Sequence, residues 1–167
     1  MPPPLDAAAP FGIAYRPMVE EDLPFIEALY ASTRAEEVAL TGWPQDQQRA
    51  FLAQQHRAQH HHYQTYYAEA EWLVVERAGE PIGRLYLGQW DDRHHIIDIS
   101  LIPAARGLGI GGAILADVIA AAQAQGKSVS IHVEVNNPAR RLYERLGFEV
   151  VEDKGIYLRM DRPAPAA

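Results

Sequence analysis

The sequence predicts an α/β (α+β) chain built as a mixed central β-sheet flanked by helices, in the order β-α-α-β-β-β-α-β-α-β-β. Three observations predict it. Apolar residues recur at helical spacing in four segments and in strand-like runs in seven. The runs flanking "AGEP", and the last two runs of the chain, read as antiparallel hairpins. A length of 167 residues, 48% hydrophobic and 22% charged, supports one domain with a real core and little more.

The elements follow in order. "MPPPLDAAAP" is Pro/Ala-rich and is expected to be a flexible tail over residues 1–10, as is the C-terminal end over 163–167. Between them one domain is expected over 11–162, with no linker or internal repeat. "FGIAYRPM" is a short opening strand. "EEDLPFIEALYASTRAEE" carries Leu23, Ile26, Leu29 and Tyr30 at helical spacing, and a second helix starts at Pro44, a residue favoured in a first turn. "EWLVVERAGEPIGRLYLGQ" is a hairpin and "HHIIDISLI" a third strand of that group. From Gly109 to Gln125, Ile114, Leu115, Val118, Ile119 and Ala122 share a helical face, and Gly126 supplies the stop. "SVSIHVEV" alternates as a strand, "NPARRLYERLGF" is a short helix, and "FEVVED" and "GIYLRM" close the chain.

Composition removes several chemistries. With no cysteine, disulfides, thiolate zinc sites and a cysteine nucleophile are excluded. A net charge of −7 argues against a broad nucleic-acid surface. No apolar run reaches the roughly 18 residues of a membrane span, and the N-terminus lacks a signal peptide's pattern, so a cytoplasmic protein without a membrane partner is expected. His56, His60, His61 and His62 invite a metal reading, but nothing in the cluster supplies the usual general-base glutamate, and a solvated helix face is the expectation; no metal is expected.

The stretch "DISLIPAARGLGIGGAILADVI" holds a literal G-x-G-x-x-G at Gly107, Gly109 and Gly112, with the acidic Glu134 about twenty residues on. A dinucleotide-binding reading fails on context. Pro103, Ala104, Ala105 and Arg106 intervene between strand and loop, and hairpins, rather than repeated βαβ units, occupy both ends of the domain. The physical content survives: glycines leave backbone N–H groups unobstructed, and the helix that begins there adds unpaired N–H groups and a positive dipole end, a combination suited to pyrophosphate.

"IPAARGLGIGGAIL" followed by "NNPARRLYERLGF" closely resembles the two signature segments of the GNAT superfamily of N-acetyltransferases. Arg106, Gly109 and Gly111 match the Q/R-x-x-G-x-G/A loop. Asn136, Ala139, Tyr143, Gly147 and Phe148 match N-x-x-A-x-x-x-Y-x-x-x-G-F. The resemblance implies a sheet whose central strands splay apart, acetyl-CoA as co-substrate, and transfer of its acetyl group to a primary amine in a ternary complex. Arg106, Gly107, Leu108, Gly109, Ile110, Gly111 and Gly112 would wrap the pyrophosphate. The backbone from Ile99 through Leu101 and Ile102 would pair with the pantetheine arm, and Asn136 would hydrogen-bond it. Tyr143 would donate a proton or hydrogen bond to the departing thiolate.

The general base departs from the family pattern. His95 stands where many members carry a glutamate and is the first candidate; Asp98, Glu134 or a water chain are the others. Asp98 has the opposite parity to His95, so a regular strand points them to opposite faces. "LTGWPQDQ" and "HHHYQTYY" are the expected sources of acceptor contacts, with Trp43, Tyr63, Tyr66 and Tyr67 lining a cleft or packing the core. The acceptor is a small-molecule or peptide amine, and a homodimer fits the superfamily. A non-catalytic acyl-CoA-binding module is the alternative.

Overall fold

Seven strands and four α-helices follow one another in the predicted order in a computed structural model that describes residues 1–166; position 167, the end of the expected C-terminal tail, lies outside them. The strands are β1 (Ile13–Pro17), β2 (Glu71–Arg77), β3 (Glu80–Gln89), β4 (Arg93–Leu101), β5 (Ser128–Glu134), β6 (Glu149–Asp153) and β7 (Tyr157–Arg162). The helices are α1 (Leu23–Ala39), α2 (Gln45–Tyr66), α3 (Ile110–Ala124) and α4 (Arg140–Arg145). None among the described residues is long and apolar enough to cross a membrane.

Local chemistry sets these boundaries. Ala78 and Gly79 both take positive φ, the twist that a two-residue hairpin needs between β2 and β3. The α3 helix ends as Gly126 turns left-handed and Lys127 donates its N–H back to the Ala122 carbonyl at 2.9 Å. Asn137 starts the next helical turn as expected: its side chain accepts the Ala139 N–H at 2.9 Å. Regular α-helix then begins only at Arg140, two residues later than the position of Pro138 suggests.

The sheet order is β1-β2-β3-β4-β5-β7-β6, and only β4 and β5 run parallel. Their ladder joins Arg93–Ile96 to Ser128–Ile131 and then stops. Beyond it β4 stays paired to β3 and β5 to β7, so the two strands part into a V. A β-bulge deepens the divergence: Leu87 faces Ile96 and Tyr86 faces Asp98, leaving Ile97 as the extra residue. The main core lies between the sheet and α3, with Ile110, Ile114, Leu115, Val118, Ile119 and Ala122 of the helix all buried. On the other face α1 and α2 pack together over β3 and β4.

The first ten residues depart from the expected tail. Ala8 is fully buried, residues 9–11 make a 3-10 turn, and the N–H groups of Asp6, Ala7 and Ala8 donate to the carboxylate of Asp117 at 3.2, 2.7 and 3.0 Å. Composition suggests fraying, but an α3 carboxylate that is 2% exposed requires donors, and this segment supplies them.

Candidate active site

The V is lined by main chain. Ile99 and Leu101 turn their side chains into the α3-side core, leaving the β4 backbone at the edge of the opening. At the end of β4 a 3-10 turn over Pro103–Ala105 leads to the glycine loop. Gly107 and Gly109 have φ of 72° and 88°, and a Cβ at Gly107 would meet nothing within 4 Å. Gly109 is the N-cap of α3, and Ala113 donates to its carbonyl at 3.1 Å. The N–H groups ahead of Ala113 are the ones that helix geometry leaves without intrahelical partners. Arg106 folds back, its Nε donating to the Leu101 carbonyl at 2.9 Å and an Nη to Ser32 of α1 at 3.0 Å.

The bulge corrects the parity expectation. Gly88 and Tyr86 lie on one face of β3 and are opposed by His95 and Asp98, so both candidates face α2. His95 stacks near Tyr67 and Asp98 takes a 3.2 Å hydrogen bond from Tyr63, one helical turn away on α2. Asp98 is heavily engaged. Its other donors are buried Arg84 at 2.8 Å and Ser100 at 2.7 Å. Arg84 is 2% exposed, a site where an arginine requires a charged partner. Tyr63 was one of the aromatics expected at the cleft, but Arg84 and Ser100 were not singled out in the sequence, although an arginine inside the apolar run "PIGRLYLG" is a signal for a buried acid on a neighbouring strand.

His95 does not fit the role of general base. It is 3% exposed, its Nδ1 lies 2.7 Å from the Ser130 hydroxyl, and its ring is stacked between Trp90 and Tyr67. Burial, then the positive charges of His132, Arg93, Arg159 and Lys154, push its pKa down to about 3. A base that weak gains little from a neutral-pH proton transfer. Glu134, at the end of β5, is more open: Arg34 of α1 holds one of its oxygens at 2.6 Å, and its side chain is 30% exposed.

The depressed imidazole has a stability consequence. The folded value lies below the ordinary 6.5, so between about pH 6.5 and 3 the unfolded chain takes up a proton that the folded chain refuses. Stability therefore falls with pH in that window, His95 alone costing about 2 kcal/mol at about pH 5. His94, 1% exposed, is lowered by burial in the same direction. Thermal melts should show Tm dropping from about pH 7 to 5, with a shallower slope in His95→Gln; equal slopes would place the acid sensitivity elsewhere.

Tyr143 sits on α4 in the core on the α3 side, 5% exposed, its ring 5.9 Å from that of Phe148. Burial first, and the charge of Asp98 second, push its pKa up to about 12. No hydrogen bond binds its hydroxyl among the described residues, yet that oxygen is not sealed from solvent. Asn136 is exposed in the turn after β5, close in sequence to Glu134.

Other expectations fall away from the V. Trp43 packs edge-on against Phe51, and Tyr66 is 71% exposed. The histidine stretch is not the solvated face expected at its start: His56 is 4% exposed and packs against Tyr30, and His60 packs against Trp72; among the described residues no group of three or more His, Asp or Glu is arranged to hold a metal.

Comparison with known proteins agrees with this geometry. The family model "Acetyltransferase (GNAT) family" matches residues 27–148. No curated protein matches the chain. Among solved structures, the PaiA N-acetyltransferase of Thermoplasma acidophilum in complex with coenzyme A superposes with a TM-score of 0.67 at 15% identity, over 90% of this chain and 98% of that one. An acetyltransferase of Elizabethkingia anophelis with acetyl-CoA bound gives 0.58 at 19%, over 91% and 98%. An Arabidopsis thaliana protein in complex with the bisubstrate analogue CoA-Ac-MVNAL gives 0.58 at 16%, over 90% and 97%. At these identities the likeness is one of fold.

Proposed function

The chain belongs to the acetyltransferase (GNAT) family, and on that premise we propose that it transfers an acetyl group from acetyl-CoA to a primary amine by direct attack within a ternary complex. The observation that carries this reading is the V between β4 and β5, with a glycine loop at its end and a phenol free to donate. The donor set suits the co-substrate: N–H groups at the start of a helix for pyrophosphate, and an unpaired strand edge for an amide-bearing arm.

In this reading the loop from Arg106 to Gly112 holds the pyrophosphate, and Arg106 exchanges its contacts with Leu101 and Ser32 for it. The backbone of Ile99, Leu101 and Ile102 pairs with the pantetheine arm, and Asn136 hydrogen-bonds it from the β5 side. The co-substrate supplies a thioester carbonyl. As the amine nitrogen bonds to that carbon and the C–S bond breaks, Tyr143 hydrogen-bonds the sulphur that leaves as thiolate. Asp98 already accepts from Arg84, Tyr63 and Ser100, so the amine's proton passes through water toward Glu134, whose second oxygen has no protein partner among the described residues. A covalent relay has little support: the chain has no cysteine, and Ser130 beside His95 is wholly buried.

The acceptor is a small-molecule or peptide amine; the bisubstrate analogue held by the plant protein makes a peptide N-terminus one class to test. The poor base at His95 favours one other reading, a non-catalytic acyl-CoA-binding module, and turnover of an amine panel separates the two. The first test is calorimetric titration with acetyl-CoA against NADH. One-to-one binding of acetyl-CoA alone is expected, and no heat with acetyl-CoA overturns the cofactor assignment.

A further inference from the structure

Residues 6–12 lie outside the segment that the family model matches, yet they are tied to α3 at two points. The first is Asp117, the one charged residue of that helix, which receives the three consecutive N–H groups of Asp6, Ala7 and Ala8. The second is Phe11. Its Cζ lies 3.5 Å from where a Cβ on Gly109 would stand, and its ring packs against the main core. The Phe11 carbonyl is itself held, accepting from the Arg77 Nε at 3.0 Å, and Gly12 turns with φ of 74° into β1.

These two ties brace one helix along its length. Asp117 and Gly109 are eight positions apart on α3, about 12 Å at 1.5 Å per residue. Residues 8–11 are turned, the Phe11 N–H donating to the Ala8 carbonyl at 3.1 Å, and the Phe11 side chain reaches from that turn toward Gly109, so the strap links the middle of α3 to the loop at its start. The loop needs such support. With glycine at 107, 109, 111 and 112 its backbone has more freedom than any other segment of comparable length here, and converging its N–H groups on one anion costs conformational entropy unless neighbours restrict it. A Cβ on Gly112 would stand 3.5 Å from Leu142 and one on Gly111 3.9 Å from Leu101, whereas beside Gly109 the neighbouring side chain is Phe11.

We propose that the strap formed by residues 6–12 positions the phosphate loop, Asp117 anchoring it and Phe11 holding the Gly109 backbone in its ligand-binding conformation. Both are positioning residues. They touch no substrate, and act through α3 and Gly109. The inference rests on the reading of Arg106–Gly112 as the site for the pyrophosphate of acetyl-CoA, and on nothing about the acceptor.

The experiment is acetyl-CoA binding and steady-state kinetics of the full chain carrying Phe11→Ala, with Phe11→Leu as the conservative variant. Phe11→Ala should raise the acetyl-CoA Kd and KM about tenfold, with kcat at saturation and the acceptor KM within about twofold, and Phe11→Leu should recover most of the loss. A merely structural role would lower Tm and the active fraction while leaving the Kd of the folded protein unchanged; that result overturns the proposal. If Phe11→Ala does not fold, Asp117→Asn is read by the same Kd against the same threshold. Absence of acetyl-CoA binding by the unaltered chain is a different failure, which sinks the cofactor assignment itself.

Discussion

Tyr143→Phe is expected to lower kcat roughly 10- to 100-fold, with the Kd for acetyl-CoA within about twofold. The magnitude follows from which of two roles the phenol can fill. Its pKa is pushed up to about 12, whereas a thiol ordinarily titrates near 8.5, so full proton transfer to the thiolate is uphill by several kcal/mol. A hydrogen bond to the developing negative charge carries no such penalty and is worth about 1.5–3 kcal/mol. The hydrogen bond therefore wins, and the thiolate takes its proton from solvent. One readout separates the roles. A hydrogen-bond donor leaves the basic limb of the pH–rate profile where it is when Tyr143 is replaced, while an acid moves it. Unchanged kcat removes Tyr143 from the chemistry altogether.

The element order and the position of the glycine loop were legible in the sequence, because both depend on local patterns. The glycine loop, the helix stop at Gly126 and the start at Asn137 are each written in a few consecutive residues. The side-chain network between β4 and α2 depends on what local patterns cannot show. One extra residue at Ile97 brings His95 and Asp98 to the same face, reversing a parity inference that holds for any regular strand. The engagement of Asp98 comes from Arg84 on the neighbouring strand and Tyr63 on α2, and that of Glu134 from Arg34, a hundred positions away. His95 is chemically apt as a base in sequence, but its stacking with Trp90 and Tyr67 and its burial remove that aptitude. The N-terminal strap was hidden for a similar reason. Proline and alanine carry no signal of their own, and the carboxylate that orders them is more than a hundred positions downstream.

Gly109→Val should abolish measurable acetyl-CoA binding, with at least about a hundredfold loss in affinity, while the protein still folds. Two costs combine at this position. A β-branched residue at φ of 88° is strained by about 1–3 kcal/mol, so the loop relaxes away from its present conformation. In the proposed reading the added side chain also stands where the backbone comes close to phosphate; the nearest neighbour of its Cβ, Phe11 at 3.5 Å, is in ordinary contact, so the steric problem falls on the ligand side. Gly126→Val is the matched control. Gly126 has φ of 69° at the other end of the same helix, with nothing within 4 Å of a Cβ, so it carries the backbone strain without the ligand. Both variants should melt earlier than the unaltered chain, and only Gly109→Val should lose acetyl-CoA. Equal affinities in the two variants would show that the loop joins strand to helix and nothing more, and the pyrophosphate would have to be sought elsewhere along the V.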